Sequence, residues 1–566
     1  MSKNVYTIHY VLIITMICLF NRGIKAQNVE SMVKEKPVKF SGSLSAQFLG
    51  YSTTRERPSR DPFVWTLSGS PTLSLYGFNI PFSFVISPKQ SSFRQPFNQF
   101  GMSPYYKWLT LHVGYRNINF SRYTLSGHTF LGAGVEAKPG NFRFGFVYGR
   151  FLKAVENDSL NLEYIIPAYK RDGYSVKLGY GTSSNYVDLI LFKAKDDTTS
   201  IERADLSFES VPAENVVVGI KTFHRFLKNF TLDLDFGYSI YTRNLYATDE
   251  GIPDFPFKSF INSLTTVNNS TNVNWAGNAS LNYRHKVFGL RLLYRRIEPE
   301  YQTMGAYFFN NDLEQITFNP SLYLLKGKLN MRGSIGLQRN NLGQDKLNET
   351  FKKINSFNAN WSPNQKVGIN FSYMNYRIDQ TRNPLVIKDF VDSLQMKQIS
   401  NNVSFNFNYN FGTKEIRQSI SLGANYQQFN DENPNTEIFN SSSSLSPTIS
   451  YRLNNRVSKF SVYSRINYNN FNTTASQQTR LGFTVGGSKR VADNKLNLNI
   501  SGTLYQNRIQ KESDGATSML RARMSYKMFK NHSLNFSLSY IDRKFKRDNK
   551  NNFSEFLVRF GYSMRI

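Results

Sequence analysis

Residues 403–411 read Val-Ser-Phe-Asn-Phe-Asn-Tyr-Asn-Phe, so large apolar or aromatic residues alternate with Ser and Asn. Because successive side chains of a strand point to opposite faces, this segment predicts a strand with one apolar and one polar face. The same alternation returns at residues 496–504 and 534–540 and over most of the chain. A sheet this long needs a second sheet or an apolar solvent over its apolar face. We therefore predict an all-β fold, a large antiparallel transmembrane β-barrel with lipid outside and water in the lumen.

Short turns and longer connections alternate through the second half of the chain. The short turns are predicted near residues 284–286, 326–328, 362–365, 412–414, 454–456, 492–494 and 530–532. The longer, polar connections are predicted at residues 298–313, 342–349, 379–397, 430–440, 507–515 and 543–552. This asymmetry is typical of bacterial outer-membrane barrels, in which short turns are periplasmic and longer loops extracellular. The alternating segment 556–566 would be the closing strand and would end in the periplasm.

The first half of the chain is less regular but carries the same alternation. Strands are predicted at residues 38–51, 63–76, 105–115, 127–138, 141–151, 174–182, 186–195, 216–223 and 231–242, and long loops at 87–104, 116–126, 196–214 and 247–271. Pro71 and Pro81 indicate strand ends or bulges, because proline cannot donate to a ladder. We expect about 22–26 strands, with an even number near 26 favoured and both chain ends in the periplasm. Side chains alone cannot fill so wide a lumen, so the lumen is either open or plugged, and a plug would come from the long loops or from another protein.

The N-terminus predicts export. Lys3 precedes an apolar run at residues 10–20, and Ile24-Lys25-Ala26 offers a cleavage site, so residues 1–26 read as a signal peptide. A membrane anchor is the alternative, but the run is short for one. Residues 27–36 would then form a short periplasmic tail and residues 37–566 the barrel, placed in the outer membrane of a Gram-negative cell. Cys18 is the one cysteine, so the mature chain would have no disulfide and no thiolate metal site.

Composition and charge narrow the class of partner. Mean hydropathy is −0.43 although 15% of residues are aromatic, as expected where half of each strand faces water. The net charge of +29 would suit nucleic acid, but the lysines and arginines are spread along the chain and no nucleic-acid module is visible. Two interpretations remain, contact with lipopolysaccharide phosphates and a basic lumen that favours anionic solutes. Lipid contact is the favoured one.

Catalytic candidates are few. A barrel hydrolase would use a Ser and His with an orienting partner, and His112 and His128 are the histidines placed on or beside predicted strands. A structural hydrogen bond is favoured for both, and His285 and His532 fall in turns. No two histidines have metal-ligand spacing. The sequence therefore predicts no catalytic, cofactor-binding or metal-binding residue, no cofactor and no enzymatic activity.

Several segments carry a family resemblance. Residues 123–135, continuing through 139–150, with 192–197, 212–215 and 336–341, resemble an uncharacterised family of outer-membrane β-barrel proteins of the Bacteroidetes. The resemblance covers most of the mature chain and implies location and fold, and it transfers no functional residues.

The leading hypothesis is an outer-membrane pore or transport component for an unidentified solute. The first alternative is a non-transporting scaffold or accessory to secretion machinery whose lumen is closed by its own loops, and the second is a membrane-embedded hydrolase. The expected partners are outer-membrane lipid and lipopolysaccharide, the barrel-assembly machinery acting on the C-terminal strand, and other envelope proteins. Nucleic acid is not an expected partner.

Overall fold

The computed structural model describes residues 38–88, 99–156, 167–201, 210–250, 258–307, 310–382, 396–433, 440–546 and 552–566. The predicted signal peptide and tail at residues 1–36 lie outside these ranges. Within the described ranges, no helix is long and apolar enough to cross a membrane.

Nearly all of the regular structure is strand. The elements in chain order are β1 (Val38–Ser41), β2 (Ser43–Thr53), β3 (Phe63–Gly69), β4 (Thr72–Leu75), β5 (Phe78–Ile86), β6 (Gln99–Met102), β7 (Tyr105–Tyr106), β8 (Leu109–Asn117), β9 (Thr129–Ala137), β10 (Phe142–Leu152), β11 (Arg171–Gly181), β12 (Asn185–Asp196), β13 (Glu214–Phe226), β14 (Phe230–Thr242), α1 (Lys258–Leu264), β15 (Thr271–Arg284), β16 (Phe288–Ile297), β17 (Leu313–Leu324), a 3-10 turn (Leu325–Gly327), β18 (Leu329–Arg339), β19 (Asn348–Trp361), β20 (Val367–Arg382), β21 (Lys397–Gly412), β22 (Ile416–Asp431), β23 (Ser442–Asn455), β24 (Phe460–Thr473), β25 (Gln477–Val491), β26 (Leu496–Ile509), β27 (Glu512–Phe529), β28 (His532–Phe545) and β29 (Phe553–Arg565).

These strands form one closed antiparallel barrel. Each pairs with its neighbours along the chain, and the circle closes where β2 pairs with β29, from Ser43 opposite Arg565 to Thr53 opposite Glu555. β1 with β2, β3 with β4, and β6 with β7 each act as one strand interrupted by a bulge or kink. The described residues therefore build 26 barrel strands, which confirms the predicted fold class and the favoured strand number.

The outer surface of the barrel is apolar. On β26, Ile500 is 58% exposed and Leu504 is 55% exposed, while Ser501 and Thr503 point to the other face of the strand. The same holds around the circle, with exposed apolar side chains on β12, β18, β24 and β25. Because no second sheet covers this surface among the described residues, hydrocarbon is the solvent that fits it.

The two ends of the barrel differ, as predicted. The first and last strands meet at the end that carries the short turns, where the Gly42 N–H donates to the Ile566 carbonyl at 3.1 Å. We call this the short-turn end and the opposite rim the long-loop end. The connection at residues 340–347 lies at the long-loop end, as expected, and the connections that follow β16 and β22 begin at the same end, although residues 308–309 and 434–439 of these two lie outside the described ranges.

One predicted loop is wrong. Residues 507–515 are not a long connection, because β26 runs to Ile509 and β27 begins at Glu512. Gln510 and Lys511 both have positive φ angles, 51° and 68°, as a two-residue type I′ hairpin turn requires. Asn and Gly usually mark such a turn, so this pair gives no sequence signal. Residues 474–476, between β24 and β25, are a second short connection at the long-loop end.

The start of the barrel also corrects the prediction. The sequence predicts a loop at residues 87–104, but residues 99–102 form β6, and the preceding strand β5 is absent from the predicted strands; residues 89–98 lie outside the described ranges. Their alternation is obscured by a line of bulges that crosses the wall. Pro71 lies between β3 and β4, as expected, and its carbonyl accepts the Phe82 N–H at 2.7 Å. Pro81 lies inside β5, where its carbonyl accepts the Ser103 N–H at 3.0 Å beside the break between β6 and β7.

The apolar outer face gives a direct test. Arg in place of Ile500 would put a charge against hydrocarbon, whereas Arg in place of the adjacent Ser501 would face the lumen. We expect Ile500→Arg to lower the free energy of unfolding in lipid vesicles by about 2–4 kcal/mol, and Ser501→Arg to change it by less than about 1 kcal/mol. Denaturant titration of tryptophan fluorescence in vesicles measures both. Equal losses in the two variants would contradict the assignment of faces.

Candidate functional site in the barrel lumen

Two connections at the long-loop end turn inward and pack on the lumen wall. Inner loop A (residues 118–126) joins β8 to β9, and inner loop B (residues 298–306) joins β16 to β17. Phe120, Tyr123 and Leu125 of loop A and Tyr301 of loop B are fully or almost fully buried. A core made of loop residues inside a barrel means that part of the lumen is filled by the chain itself.

Lumen-facing glycines make room for these loops. A methyl group at Gly145 of β10 would lie 2.7 Å from the Phe120 ring, and one at Gly219 of β13 would lie 2.5 Å from the Thr124 methyl. At Gly237 of β14, a methyl group would lie 2.6 Å from the Tyr301 hydroxyl and 2.8 Å from the Tyr123 side chain. The loops therefore sit directly against the backbone of the wall.

Asp235 of β14 anchors inner loop A. Its carboxylate accepts a hydrogen bond from the Ser121 hydroxyl and another from the Arg122 N–H at 3.1 Å. The Tyr123 hydroxyl donates to the Asn278 side-chain oxygen of β15 at 3.0 Å. Buried polar groups of the loop are thus paired with polar groups of the wall, which makes the docked position specific.

The two inner loops also hold each other. The Tyr301 hydroxyl donates to the Tyr123 carbonyl at 2.5 Å, and the Thr303 hydroxyl donates to the Thr124 carbonyl at 2.7 Å. The rings of Tyr123 and Tyr301 meet edge to face with centroids 6.3 Å apart. The Met304 N–H donates to the Asn215 side chain of β13 at 3.0 Å. Loops A and B are therefore one packed unit fixed to β13–β15.

Loop B is also tied to the rim. Asp312, just before β17, accepts the N–H groups of Asn341 at 2.9 Å and Leu342 at 2.8 Å, and it pairs with Lys346. Burial acts to raise the pKa of this carboxyl, but the Lys346 ammonium and the two N–H donors outweigh it and hold the pKa below its ordinary value. The carboxylate therefore stays ionised and fastens the connection at residues 340–347 to Asp312, whose N–H donates to the Glu298 carbonyl of loop B at 3.2 Å.

Charges on the wall beside the inner loops are paired. Three ion pairs lie here: Arg171–Asp196 (2.7 Å) joins the adjacent strands β11 and β12, whereas Arg143–Asp188 (2.6 Å) and Lys177–Glu136 (2.9 Å) each reach across an intervening strand. The Lys177 ammonium also lies 4.3 Å from the centroid of the Phe120 ring of loop A. These six side chains therefore add no net charge to this side of the lumen.

The opposite wall has a different character. From residue 442 to residue 511 the chain has one carboxylate, Asp493, against ten cationic residues: Arg452, Arg456, Lys459, Arg465, Arg480, Lys489, Arg490, Lys495, Arg508 and Lys511. On β27, Arg521 and Arg523 alternate with the outward Leu520 and Met524, so the arginines face the lumen. They are exposed, and so is Arg559 of β29. The open side of the lumen is consequently basic.

A cavity of about 860 Å³ lies against this basic wall. Arg523, Arg559, Asn499, Asn535 and Ser537 are among the residues that line it, and the connection at residues 54–62 adds Arg60 and Asp61 at its edge. The cavity thus has three guanidinium groups and one carboxylate.

His112, a candidate from the sequence, belongs to a polar cluster on the wall. Its Nδ1 lies 2.9 Å from the Ser103 hydroxyl and its Nε2 lies 3.6 Å from Glu136 Oε2. A nucleophilic Ser–His pair would need the carboxylate hydrogen-bonded to the other ring nitrogen. Here that contact is long, and Glu136 is closer to the Lys177 ammonium at 2.9 Å. The cluster balances charge across β8, β9 and β11.

His128, the second candidate, is a buried packing residue. Its ring stacks on Tyr307 with centroids 4.1 Å apart and lies 5.1 Å from Phe151, while its Nδ1 lies 3.0 Å from the Thr129 carbonyl. Burial lowers the pKa of His128 from 6.5 to about 4, although the Thr129 carbonyl acts in the opposite direction. The neutral ring therefore fastens the end of inner loop A to the chain that follows loop B.

The sequence analysis predicted none of the contacts between the residues of this site. It gave the inner loops only as connections, and among these arginines it placed only Arg559, on the polar face of the last strand. The alternation carried a usable signal for the others as well, because Arg521 and Arg523 alternate with the apolar Leu520 and Met524. Among the described residues, no three metal-ligating side chains form a cluster that could hold an ion.

Comparison with known proteins gives general likeness only. No family model and no curated protein matches the chain. Among solved structures, the P pilus usher translocation pore PapC is 10% identical over 93% of this chain and 99% of its own, with a TM-score of 0.35. OccAB2 of Acinetobacter baumannii is 9% identical over 63% of this chain and 92% of its own, with a TM-score of 0.31. The anion-selective porin of Comamonas acidovorans is 10% identical over 51% of this chain and 100% of its own, with a TM-score of 0.26.

The buried His128 predicts a pH dependence of stability. Between pH 6.5 and about 4 the unfolded chain binds a proton at this residue that the folded chain does not, so stability falls as the pH is lowered through this window. From pH 7.5 to pH 4.5 the loss should be about 2–3 kcal/mol. Denaturant unfolding in detergent at the two pH values measures it. His128→Phe keeps the ring stack without the titration, so a variant that loses the same amount would contradict this account.

Proposed function

We propose that the protein is an outer-membrane pore that passes water-soluble solutes through a lumen narrowed on one side. The observation that carries this proposal is the difference between the two lumen walls. Inner loops A and B cover the wall of β10–β15 with a packed, hydrogen-bonded layer, whereas the polar wall of β21–β29 is left in contact with solvent. A barrel that served only as a scaffold has no need of an open polar wall.

The open wall is suited to water and polar solutes. Asn406, Asn408 and Asn410 of β21 face the lumen and are exposed, and they alternate with Phe405 and Tyr409 on the outer face. Uncharged amides and hydroxyls along a lumen keep it hydrated without binding a solute tightly. The inner loops then set the width of the passage, as inward-folded loops do when they constrict a wide barrel.

The membrane and orientation belong to the same proposal. An apolar outer belt on a closed barrel, together with the export signal predicted at residues 1–26, is best accommodated by the outer membrane of a Gram-negative cell, with the long-loop end outside. On β29, Phe556, Val558 and Phe560 share the outward face. We propose that this strand is the one that the assembly machinery engages, and that cationic residues near the rims contact lipopolysaccharide phosphates.

The proposal is tested by conductance. The purified full-length barrel in planar bilayers should give discrete channel steps. Gly237→Val should raise the single-channel conductance, because the added methyl groups would displace Tyr123 and Tyr301 and free the inner loops from the wall. Gly368→Val is the matched control, since nothing lies within 4 Å of the position of its added Cβ. We expect its conductance to equal that of the wild type.

A barrel that gives no channel steps in the wild type or in Gly237→Val would favour the alternative function, a scaffold closed by its own loops. The packing of loops A and B inside the lumen is the observation that favours this alternative. Channel steps that appear in Gly237→Val alone would indicate a pore that opens only when the loops leave the wall.

A hydrolase would have to use the polar cluster around His112. Its geometry favours charge balance, so we expect the purified protein to hydrolyse soluble and lipid ester substrates no faster than the Ser103→Ala and His112→Ala variants. A fluorogenic ester assay in detergent makes the comparison. Turnover in the wild type that both variants abolish while the barrel remains folded would overturn the assignment.

A further inference from the structure

A series of arginines follows the open lumen wall from one rim toward the other. Arg480 of β25 lies opposite Asn507, and Arg543 of β28 lies opposite Thr517, so both are near the long-loop end. Arg521 lies opposite Ser501 and Ser539, further along the wall. Arg523 and Arg559 follow, nearer the short-turn end. We call Arg480, Arg543, Arg521, Arg523 and Arg559 the arginine track.

Arg523 and Arg559 hold a defined relation to each other. Arg523 lies opposite Asn499 on one side and Ser537 on the other, and Ser537 in turn lies opposite Arg559. Two strand spacings therefore separate the two arginines, about 10 Å between backbones. The Ser537 hydroxyl stands between two long cationic side chains that reach into the cavity of about 860 Å³. Two guanidinium groups with a hydroxyl between them form a cradle for an oxyanion.

In the described part of the chain no ion pair involves Arg521, Arg523 or Arg559, and the one carboxylate among the residues that line their cavity is that of Asp61, beside Arg60 at its edge. The closest carboxylate along β29, Glu555, is already paired with Arg55 at 2.9 Å and accepts the Tyr51 hydroxyl at 2.9 Å. The other lumen wall is the contrast, because Arg143, Arg171 and Lys177 there are paired with Asp188, Asp196 and Glu136. Unmatched positive charge on one wall of a lumen attracts anions and repels cations.

We propose that Arg523, Arg559 and Ser537 form an oxyanion-binding station, and that the arginine track makes the pore selective for solutes bearing phosphate or carboxylate groups. This inference rests on the proposed pore function and names its class of solute. Arg523 and Arg559 bind the anion, and the other arginines of the track lower the electrostatic cost of its approach and exit. A row of similar sites lets a bound anion move from one arginine to the next.

The test compares two double variants that remove the same charge. Arg523→Gln with Arg559→Gln removes the station. Arg417→Gln with Arg452→Gln removes two exposed lumen arginines on β22 and β23, outside the track. Reversal potentials in a potassium chloride gradient give the anion-to-cation permeability ratio, and added inorganic phosphate or succinate gives the block of the chloride current.

We expect the wild type to be anion-selective and to be blocked by both probes. The station variant should lose most of its selectivity and need about tenfold more of either probe for the same block. The control variant should keep the block at wild-type concentrations. Arg523→Lys with Arg559→Lys should keep the selectivity but weaken the block, because a lysine ammonium lacks the planar two-donor fork. Block by phosphate alone, or by succinate alone, identifies which oxyanion the station accepts.

Titration calorimetry of the purified protein with inorganic phosphate measures anion binding at the station without requiring the barrel to conduct. Binding in the wild type that is lost in the station variant supports the station even if no channel steps are seen, in which case only the pore function fails. Channel steps with cation selectivity, or equal effects of the two double variants, would overturn the station and leave the pore function intact.

Discussion

A strand that crosses hydrocarbon cannot leave its backbone N–H and C=O groups unpaired, because no water is present to bind them. In this chain the constraint is met by closure, with β2 returning to β29 through an unbroken run of eleven paired residues. In the closed barrel, one face of every strand contacts hydrocarbon and the other face contacts the water of the lumen. The alternation of large apolar and small polar side chains is the consequence, and the long series of hairpins follows from it.

The bulges at the start of the barrel show how the same constraint is satisfied where the pattern fails. Pro71 and Pro81 cannot donate hydrogen bonds, yet their carbonyls accept N–H groups from Phe82 and Ser103. Gly42, with a φ of +135°, occupies the break between β1 and β2, where a Cβ would lie 2.4 Å from the Ser70 carbonyl oxygen. The ladder therefore continues across the line of bulges, and the wall bends there without opening.

Sequence alone predicted what depends on alternation and missed what depends on distant contacts. Strand parity follows from short windows of residues, and the meeting of the first and last described strands at the short-turn end follows from counting hairpins. The hairpin at Gln510 and Lys511 was missed because its positive φ angles are adopted by residues that rarely mark such turns. Docking of inner loop A was out of reach for another reason. Tyr123 meets Gly237 and Asn278, and Arg122 meets Asp235, all more than a hundred residues away, and no local pattern relates them.

The charges on the two lumen walls explain why the inner loops pack on one wall and not on the other. The inner loops cover a wall on which Arg143–Asp188, Arg171–Asp196 and Lys177–Glu136 already form ion pairs, and they supply Asp235 with two hydrogen bonds, so docking buries ionised groups that have partners. Had the loops docked on the arginine track, they would have buried guanidinium groups without carboxylates, at a cost of several kcal/mol for each charge. Constriction by the loops and retention of an exposed basic wall are therefore linked. The wall with paired charges can be covered, and the wall with unpaired charges must remain in contact with water or with an anion.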